Sequence, residues 1–298
     1  MATQIAHGHF WEEEHVTHEL CEQMFPEVRY VKFNRPQETR IGADYLWWWS
    51  DPDGQSFGCL IQAKSLKKRA NSWRVGSDDP SKLDKQLTRL LAAADQLQVP
   101  AAVSLYAGDA AYRHDLVCSF GHQDAPCNRR EGAAVTLLPA LPVLHDNRHQ
   151  VGRSLMARLP VGGVDGADVF HQALPLVRLT DPGPDPQTIT YTDLDLQGIR
   201  RDLRPFLVED QTGARKVAKM LYDAMRCYQT SDSMPKDRLA YMSPWQLPSR
   251  LDFTRSTSIR HIHRGLRSEL PDYVEPALAG AVPSSVAQYA AGLVLVQL

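Results

Sequence analysis

Asp44 and the trio Gln62-Ala63-Lys64 are the residues of this chain best suited to carry chemistry. On a strand, residues two apart point to the same face of the sheet, so Gln62 and Lys64 should project together. If Asp44 lies on the neighbouring strand, a carboxylate, an amide oxygen and an ammonium group meet at one point. Such groups suit phosphodiester hydrolysis, because a hard cation such as Mg²⁺ takes one or two protein oxygens and activates a water that a lysine can orient or deprotonate.

Two predicted strands and a turn must position these residues. The aromatic run from Ile41 to Trp49 favours a strand, since bulky aromatic side chains are enriched there. Its three consecutive tryptophans are interpreted as core packing, with base stacking as the alternative. Asp51-Pro52-Asp53-Gly54 is a strong turn signal, and a further strand is predicted from Phe57 to Lys64.

The elements around this hairpin predict an α/β fold. Apolar residues at three- and four-residue spacing indicate helices, and alternating or continuous apolar runs indicate strands. The order is helix, three strands, helix, strand, in which a crossover helix follows a hairpin. The flanking elements are a helix from Phe10 to Met24, a strand from Val28 to Phe33, a helix from Ser81 to Leu97 and a strand from Ala101 to Tyr106.

The second half of the chain has a looser pattern, and we place a boundary between 1–160 and a helix-rich region, 161–298. A helical region is predicted from about Leu194 to Tyr228, broken at Pro205, and a shorter helix from about Thr257 to Leu270. The final apolar run, Ala291 to Val296, is strand-like and should pair with a sheet edge, because an unpaired apolar strand would aggregate.

Composition excludes several classes of protein. With 298 residues, 43% of them hydrophobic and 23% charged, the chain is not globally disordered. No apolar run reaches the roughly 20 residues of a membrane helix, and no signal peptide or disulfide framework is evident, so we expect a cytoplasmic protein that does not bind membranes. The net charge is −2. A protein that coats nucleic acid is normally basic, so any nucleic-acid affinity must come from local clusters.

At the chemistry-bearing residues the sequence resembles the PD-(D/E)XK, or restriction-endonuclease-like, nuclease superfamily. Its motif is an acidic residue followed by Glu or Gln, any residue and Lys, which Asp44, Gln62, Ala63 and Lys64 match. Gly42-Ala43-Asp44 with Gln62-Ala63-Lys64 is also similar to a group of uncharacterised bacterial proteins, and the Gln-x-Lys form occurs in the Mrr-like branch of restriction enzymes. The resemblance covers residues 10 to about 106 and implies that 1–160 contains a core of one helix, three antiparallel strands, a helix and a strand.

The resemblance also implies roles for individual residues. Asp44 would be the central metal ligand, Gln62 and the carbonyl of Ala63 would be further ligands of Mg²⁺ or Mn²⁺, and Lys64 would handle the nucleophilic water. The superfamily often adds an acidic residue from the first helix, and Glu14 is preferred to Glu19; Glu38 is a second candidate. Gln86 would lie near the substrate phosphate. Most members of the superfamily have Glu at the position of Gln62. The amide of Gln62 supplies no negative charge, so one metal site should bind its ion more weakly than in those members.

Two basic clusters and one Cys/His cluster remain open between a functional and a structural interpretation. Lys67, Lys68 and Arg74 follow the Lys64 strand, and Arg260, Arg264 and Arg267 share one face of the predicted C-terminal helix; either set could track a phosphate backbone or be a solvated surface. Four possible zinc ligands, His114, Cys118, His122 and Cys127, have a spacing that matches no standard finger.

These observations predict a metal-dependent phosphodiesterase, a DNA endonuclease in bacterial defence or DNA processing. The alternatives are a nuclease-fold module that binds nucleic acid or a protein without cutting, and an RNA-cleaving nuclease. DNA is favoured over RNA as the partner. Double-strand cutting usually calls for two active sites, so a homodimer is an open alternative.

Overall fold

The structure, a computed structural model, describes residues 13–33, 43–69, 72–75, 80–108, 113, 134–140, 174–182, 191, 196, 199–231 and 259–298. The described strands are β1 (Val28–Lys32), β2 (Tyr45–Ser50), β3 (Ser56–Arg69), β4 (Ser72–Val75), β5 (Ala101–Tyr106), β6 (Val135–Pro139), β7 (Leu174–Pro175), β8 (Leu266–Arg267) and β9 (Gly292–Gln297). The described helices are α1 (Glu13–Gln23), α2 (Pro80–Leu97), α3 (Val177–Thr180), a 3₁₀ turn (Arg201–Leu203), α4 (Arg204–Val208), α5 (Gly213–Ser231), α6 (Val274–Leu278) and α7 (Ser284–Ala287), and residues 259–263 are also helical.

The nine described strands form one mixed sheet, which confirms the α/β class. Its order is β1-β9-β2-β3-β5-β6-β7, and β4 and β8 both pair with β3. β2 and β3 form the predicted antiparallel hairpin. β5 runs parallel to β3, as expected when α2 provides the crossover between them. The predicted strands and helices of the first 106 residues are all present, with shifts of a few residues at their ends.

Side chains alternate between two hydrophobic clusters, one on each face of this sheet. On β2, Leu46 and Trp48 join the cluster that packs against α2, α6 and α7. Trp47 and Trp49 join the cluster that packs against α1, α4 and α5. All three tryptophans are at most 3% exposed, so the core-packing interpretation of the tryptophan run is confirmed. Gly58 allows this packing, because a Cβ there would lie 2.6 Å from the Trp48 ring.

The last strand lies inside the sheet and not at its edge, which corrects the sequence-based expectation. β9 is antiparallel to β1 and parallel to β2, so it separates the two. β1 and β2 therefore run in opposite directions but do not pair. The expected core of three consecutive antiparallel strands has β1 paired directly with β2, so the structure differs from it at this point. The physical reason is burial: the first five residues of β9 are buried, which is typical of a strand covered on both faces.

The predicted break at Pro205 is wrong. Pro205 lies in the first turn of α4, a position that tolerates proline because no helical N–H is lost there. The chain leaves helical geometry at 209–212 instead. α5 then begins at Gly213, and its second residue, Ala214, donates its N–H to Asp51 Oδ1 at 2.7 Å. The turn between β2 and β3 thus caps the helix that covers them.

The predicted helix from Thr257 to Leu270 is shorter than expected. Residues 259–263 are helical, and the chain then turns so that 266–267 forms β8 against the start of β3. Pairing with β3 overrides the helical spacing of the local sequence. Among the described residues, no helix is long and apolar enough to cross a bilayer.

Candidate active site

Asp44 and Gln62 meet at the end of the sheet where β2 begins. Asp44 directly precedes β2 and pairs across to β3, where its N–H donates to the carbonyl of Ile61 at 3.0 Å. Gln62 is the next residue of β3, and its Nε2 donates to Asp44 Oδ2 at 2.5 Å. The structure therefore brings the two side chains together on one face, as their strand positions predict.

The peptide group of Ala63 contributes two more polar atoms to this point. Its N–H donates to Asp44 Oδ2 at 2.6 Å, and its carbonyl lies 3.4 Å from Gln62 Nε2. Because β2 begins only at Tyr45, the Asp44 carboxylate accepts an N–H of β3 that lies beyond the end of β2. Asp44 therefore also has a structural role at the end of the hairpin.

The donor set fits a hard cation that keeps most of its waters. It consists of one carboxylate, one amide and one backbone carbonyl, which are oxygen ligands of the kind Mg²⁺ takes. Neighbouring oxygens around Mg²⁺ are about 2.9 Å apart when metal–oxygen distances are 2.0–2.1 Å. Gln62 Nε2 lies 2.5 Å from Asp44 Oδ2 and 3.4 Å from the Ala63 carbonyl oxygen, distances that bracket this value. Among the described residues, no three His, Cys, Asp or Glu side chains cluster as in a zinc or calcium site.

Lys64 lies two residues beyond Gln62 on β3 and is paired with Leu105 of β5. Strand geometry puts its side chain on the same face as Gln62. Lys64 is 8% exposed, an unusual burial for a lysine, and Gln62 is 6% exposed. Gln62 and Lys64 are thus shielded from water, whereas Asp44 is half-buried. An amine shielded in this way interacts with nearby charges more strongly than it would in water.

Two hydroxyl groups that the sequence analysis did not single out attach α1 to this end of the sheet. Thr17 Oγ1 and Tyr106 Oη are 2.5 Å apart, and both residues are buried. Burial raises the pKa of Tyr106 to about 12, and the negative charge of Asp44 acts in the same direction. Tyr106 is therefore a neutral group close to the site. Thr17 could have been identified from sequence, because it is a polar residue on the apolar side of the first helix.

The acidic candidates outside the hairpin are only partly described. Glu14 belongs to α1, one helical turn before Thr17, so its backbone lies near the Tyr106 end of the sheet. Its side chain lies outside the described part of the structure, and Glu38 lies outside the described residues altogether. Glu19 is an exposed residue of α1.

The predicted phosphate contacts on β3 and α2 are placed as follows. Lys67 and Arg74 are directly paired between β3 and β4, and Lys68 pairs with Trp73. These positions continue the Lys64 strand, about 3.3 Å per residue further along. Gln86 is a half-buried residue of α2, whose apolar side packs on the same sheet face as Gln62 and Lys64.

The prediction that Arg260, Arg264 and Arg267 share one face of a C-terminal helix is wrong. Arg260 is exposed on 259–263, but Arg264 lies in the turn that follows and Arg267 lies on β8. Arg264 donates from Nε to the carbonyl of Val99 at 2.9 Å and forms an ion pair with Asp95. Arg267 donates to the carbonyl of Gln98 at 2.9 Å. These contacts join the 264–267 segment to the end of α2 and the turn before β5. The two arginines therefore stabilise the fold.

One described groove lies apart from this site. A groove of about 390 Å³ runs between α1, β1 and α6, and its lining includes Cys21, Phe25 and the Arg29–Glu275 ion pair but none of the residues around Asp44. The four possible zinc ligands, His114, Cys118, His122 and Cys127, lie outside the described residues.

Comparison with known proteins gives a family and no activity. No curated protein matches the chain, and no solved structure matches it. Residues 11–286 match a family described as a family of unknown function, DUF6615. This match spans most of the chain, including every residue of the Asp44 site, and the protein belongs to that family.

Proposed function

We propose that this protein is a metal-dependent phosphodiesterase that cuts DNA. The observation that carries the proposal is the convergence of Asp44 and Gln62, 2.5 Å apart on neighbouring strands, with Lys64 on the same face of β3. The order of helix, strands, helix and strand, with β5 parallel to β3, supports a restriction-endonuclease-like core as the framework. The separation of β1 from β2 by β9 is an elaboration of that framework.

Each residue of the site has a chemical task in this proposal. Asp44 Oδ2, the Gln62 amide oxygen and the Ala63 carbonyl would hold Mg²⁺ or Mn²⁺. The bound cation would neutralise charge on the phosphate and lower the pKa of a water. Lys64, which is buried, would orient that water toward phosphorus and stabilise the negative charge that develops there.

Positive charge beside the site supports an anionic substrate. The whole chain has net charge −2, so affinity for a polyanion depends on local groups. Lys67 and Lys68 follow Lys64 on β3, Arg74 lies on the paired strand β4, and these three basic positions are the preferred phosphate contacts. Arg260, which is exposed, is a more distant one. DNA is preferred to RNA, with cytoplasmic action in bacterial defence or DNA processing as the setting.

A second candidate is a nuclease-fold module that binds nucleic acid or a protein without cutting it. The observation that favours it is Gln62 itself: its amide adds no charge, and in the structure it donates a hydrogen bond to the carboxylate that should hold the metal. An RNA-cleaving enzyme would use the same residues and differs only in substrate.

Cleavage of supercoiled plasmid separates these candidates. Wild-type protein with Mg²⁺ or Mn²⁺ should nick or linearise the plasmid, and Lys64→Ala should cut at least a hundredfold more slowly, the range expected when one group that stabilises charge in the transition state is removed. Arg201→Ala is the control and should cut like wild type, because Arg201 is exposed on a 3₁₀ turn that packs through Leu203 on the other face of the sheet. Equal rates for wild type and Lys64→Ala would refute the site. A parallel assay on single-stranded and folded RNA tests the third candidate.

A further inference from the structure

The Gln62 amide group lies between two oxygen atoms that would otherwise face each other. Its Nε2 is 2.5 Å from Asp44 Oδ2 and 3.4 Å from the carbonyl oxygen of Ala63. Both neighbours accept hydrogen bonds, and the NH₂ end of a carboxamide only donates. The amide must therefore present nitrogen to this point in the metal-free protein. Its oxygen would meet two other oxygens there.

We propose that Gln62 closes the site in the metal-free protein and admits the metal by turning its amide over. A half-turn about the Cγ–Cδ bond exchanges Nε2 for Oε1. The Gln62 oxygen then lies beside the oxygens of Asp44 and Ala63, and this set of three oxygens is repulsive when empty and favourable around a cation. This inference rests on the proposed function for its metal, but the closed state is a property of the hydrogen bonds alone.

The closed state gives Gln62 a role that glutamate cannot fill. A glutamate at this position would put two carboxylates within hydrogen-bond distance in a site where Gln62 is 6% exposed. Two negative charges this close repel each other, and in a buried site the repulsion destabilises the fold. Glutamine keeps the metal-free protein stable at neutral pH. Metal entry must break the amide–carboxylate hydrogen bond, so metal should bind well only when a phosphate supplies further oxygens and charge.

The test compares wild type with Gln62→Glu by thermal unfolding and calorimetry. Without metal at pH 8, Gln62→Glu should unfold ~5 °C or more below wild type. The deficit should shrink at saturating Mg²⁺. Calorimetry with MgCl₂ alone should show binding to Gln62→Glu at least tenfold tighter than to wild type.

Gln211→Glu is the matched control. Gln211 is 9% exposed, its Nε2 donates to the carbonyls of Pro205 and Glu209 at 3.2 and 3.1 Å, and its Oε1 accepts from Arg215 Nε at 2.8 Å. The same substitution therefore removes two donated hydrogen bonds and keeps the Arg215 contact, near the Asp51 end of β2 and away from Asp44. Its loss of stability should not be recovered by Mg²⁺. The inference is overturned if Mg²⁺ raises the unfolding temperature of both variants equally. It is also overturned if Gln62→Glu has the stability and Mg²⁺ affinity of wild type.

The outcome is separable from that of the proposed function. If wild type never cuts nucleic acid but Gln62→Glu shows the metal-dependent stability described, the closed state stands and the nuclease proposal fails. If wild type cuts plasmid and Gln62→Glu shows no such dependence, the nuclease stands and the inference fails.

Discussion

His261 should make the stability of this protein fall steeply in mild acid. The side chain is 7% exposed, and its Nε2 accepts the N–H of Ala101, the first residue of β5, at 3.2 Å. Only the neutral imidazole can accept this bond. Burial, with a smaller contribution from the charge of Arg264, lowers the pKa of His261 to about 3.

The size of the effect follows from the difference in proton binding. In the unfolded chain a histidine titrates near pH 6.5, whereas in the folded protein His261 stays neutral down to about pH 3. Between these pH values the unfolded chain binds one proton more than the folded protein does. The contribution of neutral His261 to the free energy of unfolding is therefore complete above pH 6.5 and is lost as the pH falls toward 3. The free energy of unfolding drops by about 1.4 kcal/mol per pH unit, or about 2–3 kcal/mol between pH 7 and pH 4.5.

Urea unfolding of wild type and His261→Gln at several pH values measures this. Glutamine can still accept the Ala101 N–H but does not titrate, so the difference between the two proteins isolates one group from the carboxylates that also titrate in acid. The variant should lose about 2–3 kcal/mol less than wild type between pH 7 and pH 4.5, and the difference should be constant from pH 7.5 to 8.5. If the free energies of unfolding of the two proteins fall in parallel below pH 6.5, the assignment of His261 as a buried neutral acceptor is refuted.

Two further predictions concern the metal and the arginines. Wild type should bind Mg²⁺ weakly without nucleic acid, and Asp44→Asn should abolish what binding there is; calorimetry that shows tight binding surviving in the variant would contradict this. Arg264→Ala should lower the free energy of unfolding by about 1.5–3 kcal/mol, because it removes charged hydrogen bonds to the turn before β5. Arg260→Ala, at an exposed position, should change stability by less than about 0.5 kcal/mol. If Arg260 contacts a phosphate, the slope of log affinity against log salt for duplex DNA should fall by about 0.9. The reverse pattern, a stable Arg264→Ala with a reduced salt slope, would restore Arg264 to the nucleic-acid surface.

Local sequence was sufficient for the elements that carry the site. The alternation around Asp44, the turn after Asp51 and the spacing of Gln62 and Lys64 all depend on neighbours within a few residues, and a hairpin converts that spacing directly into proximity. The α2 helix and the buried strand after it are likewise defined by their own apolar pattern. The meeting of Asp44 and Gln62 could therefore be predicted before any tertiary contact was known.

The parts that sequence could not predict depend on distant contacts. The pattern of Gly292–Gln297 shows that the strand is buried, but it carries no information on which two strands receive it. The spacing of Arg260, Arg264 and Arg267 is helical, yet pairing of Leu266 with Phe57 ends the helix early. The direction of the Gln62 amide is set by the two acceptors it faces, and no sequence pattern records it.

The position of β9 has a consequence for when the molecule can act. β2 is bordered on one side by β3, which follows it closely, and on the other by residues made about 250 positions later. During translation, β1 and β2 must wait with unpaired edges until 292–297 have been synthesised, because no other strand lies between them. Contacts so distant in sequence form late in folding. The start of β2, beside Asp44, is therefore among the last places to become ordered, and a nascent or C-terminally truncated chain should lack an ordered Asp44 site.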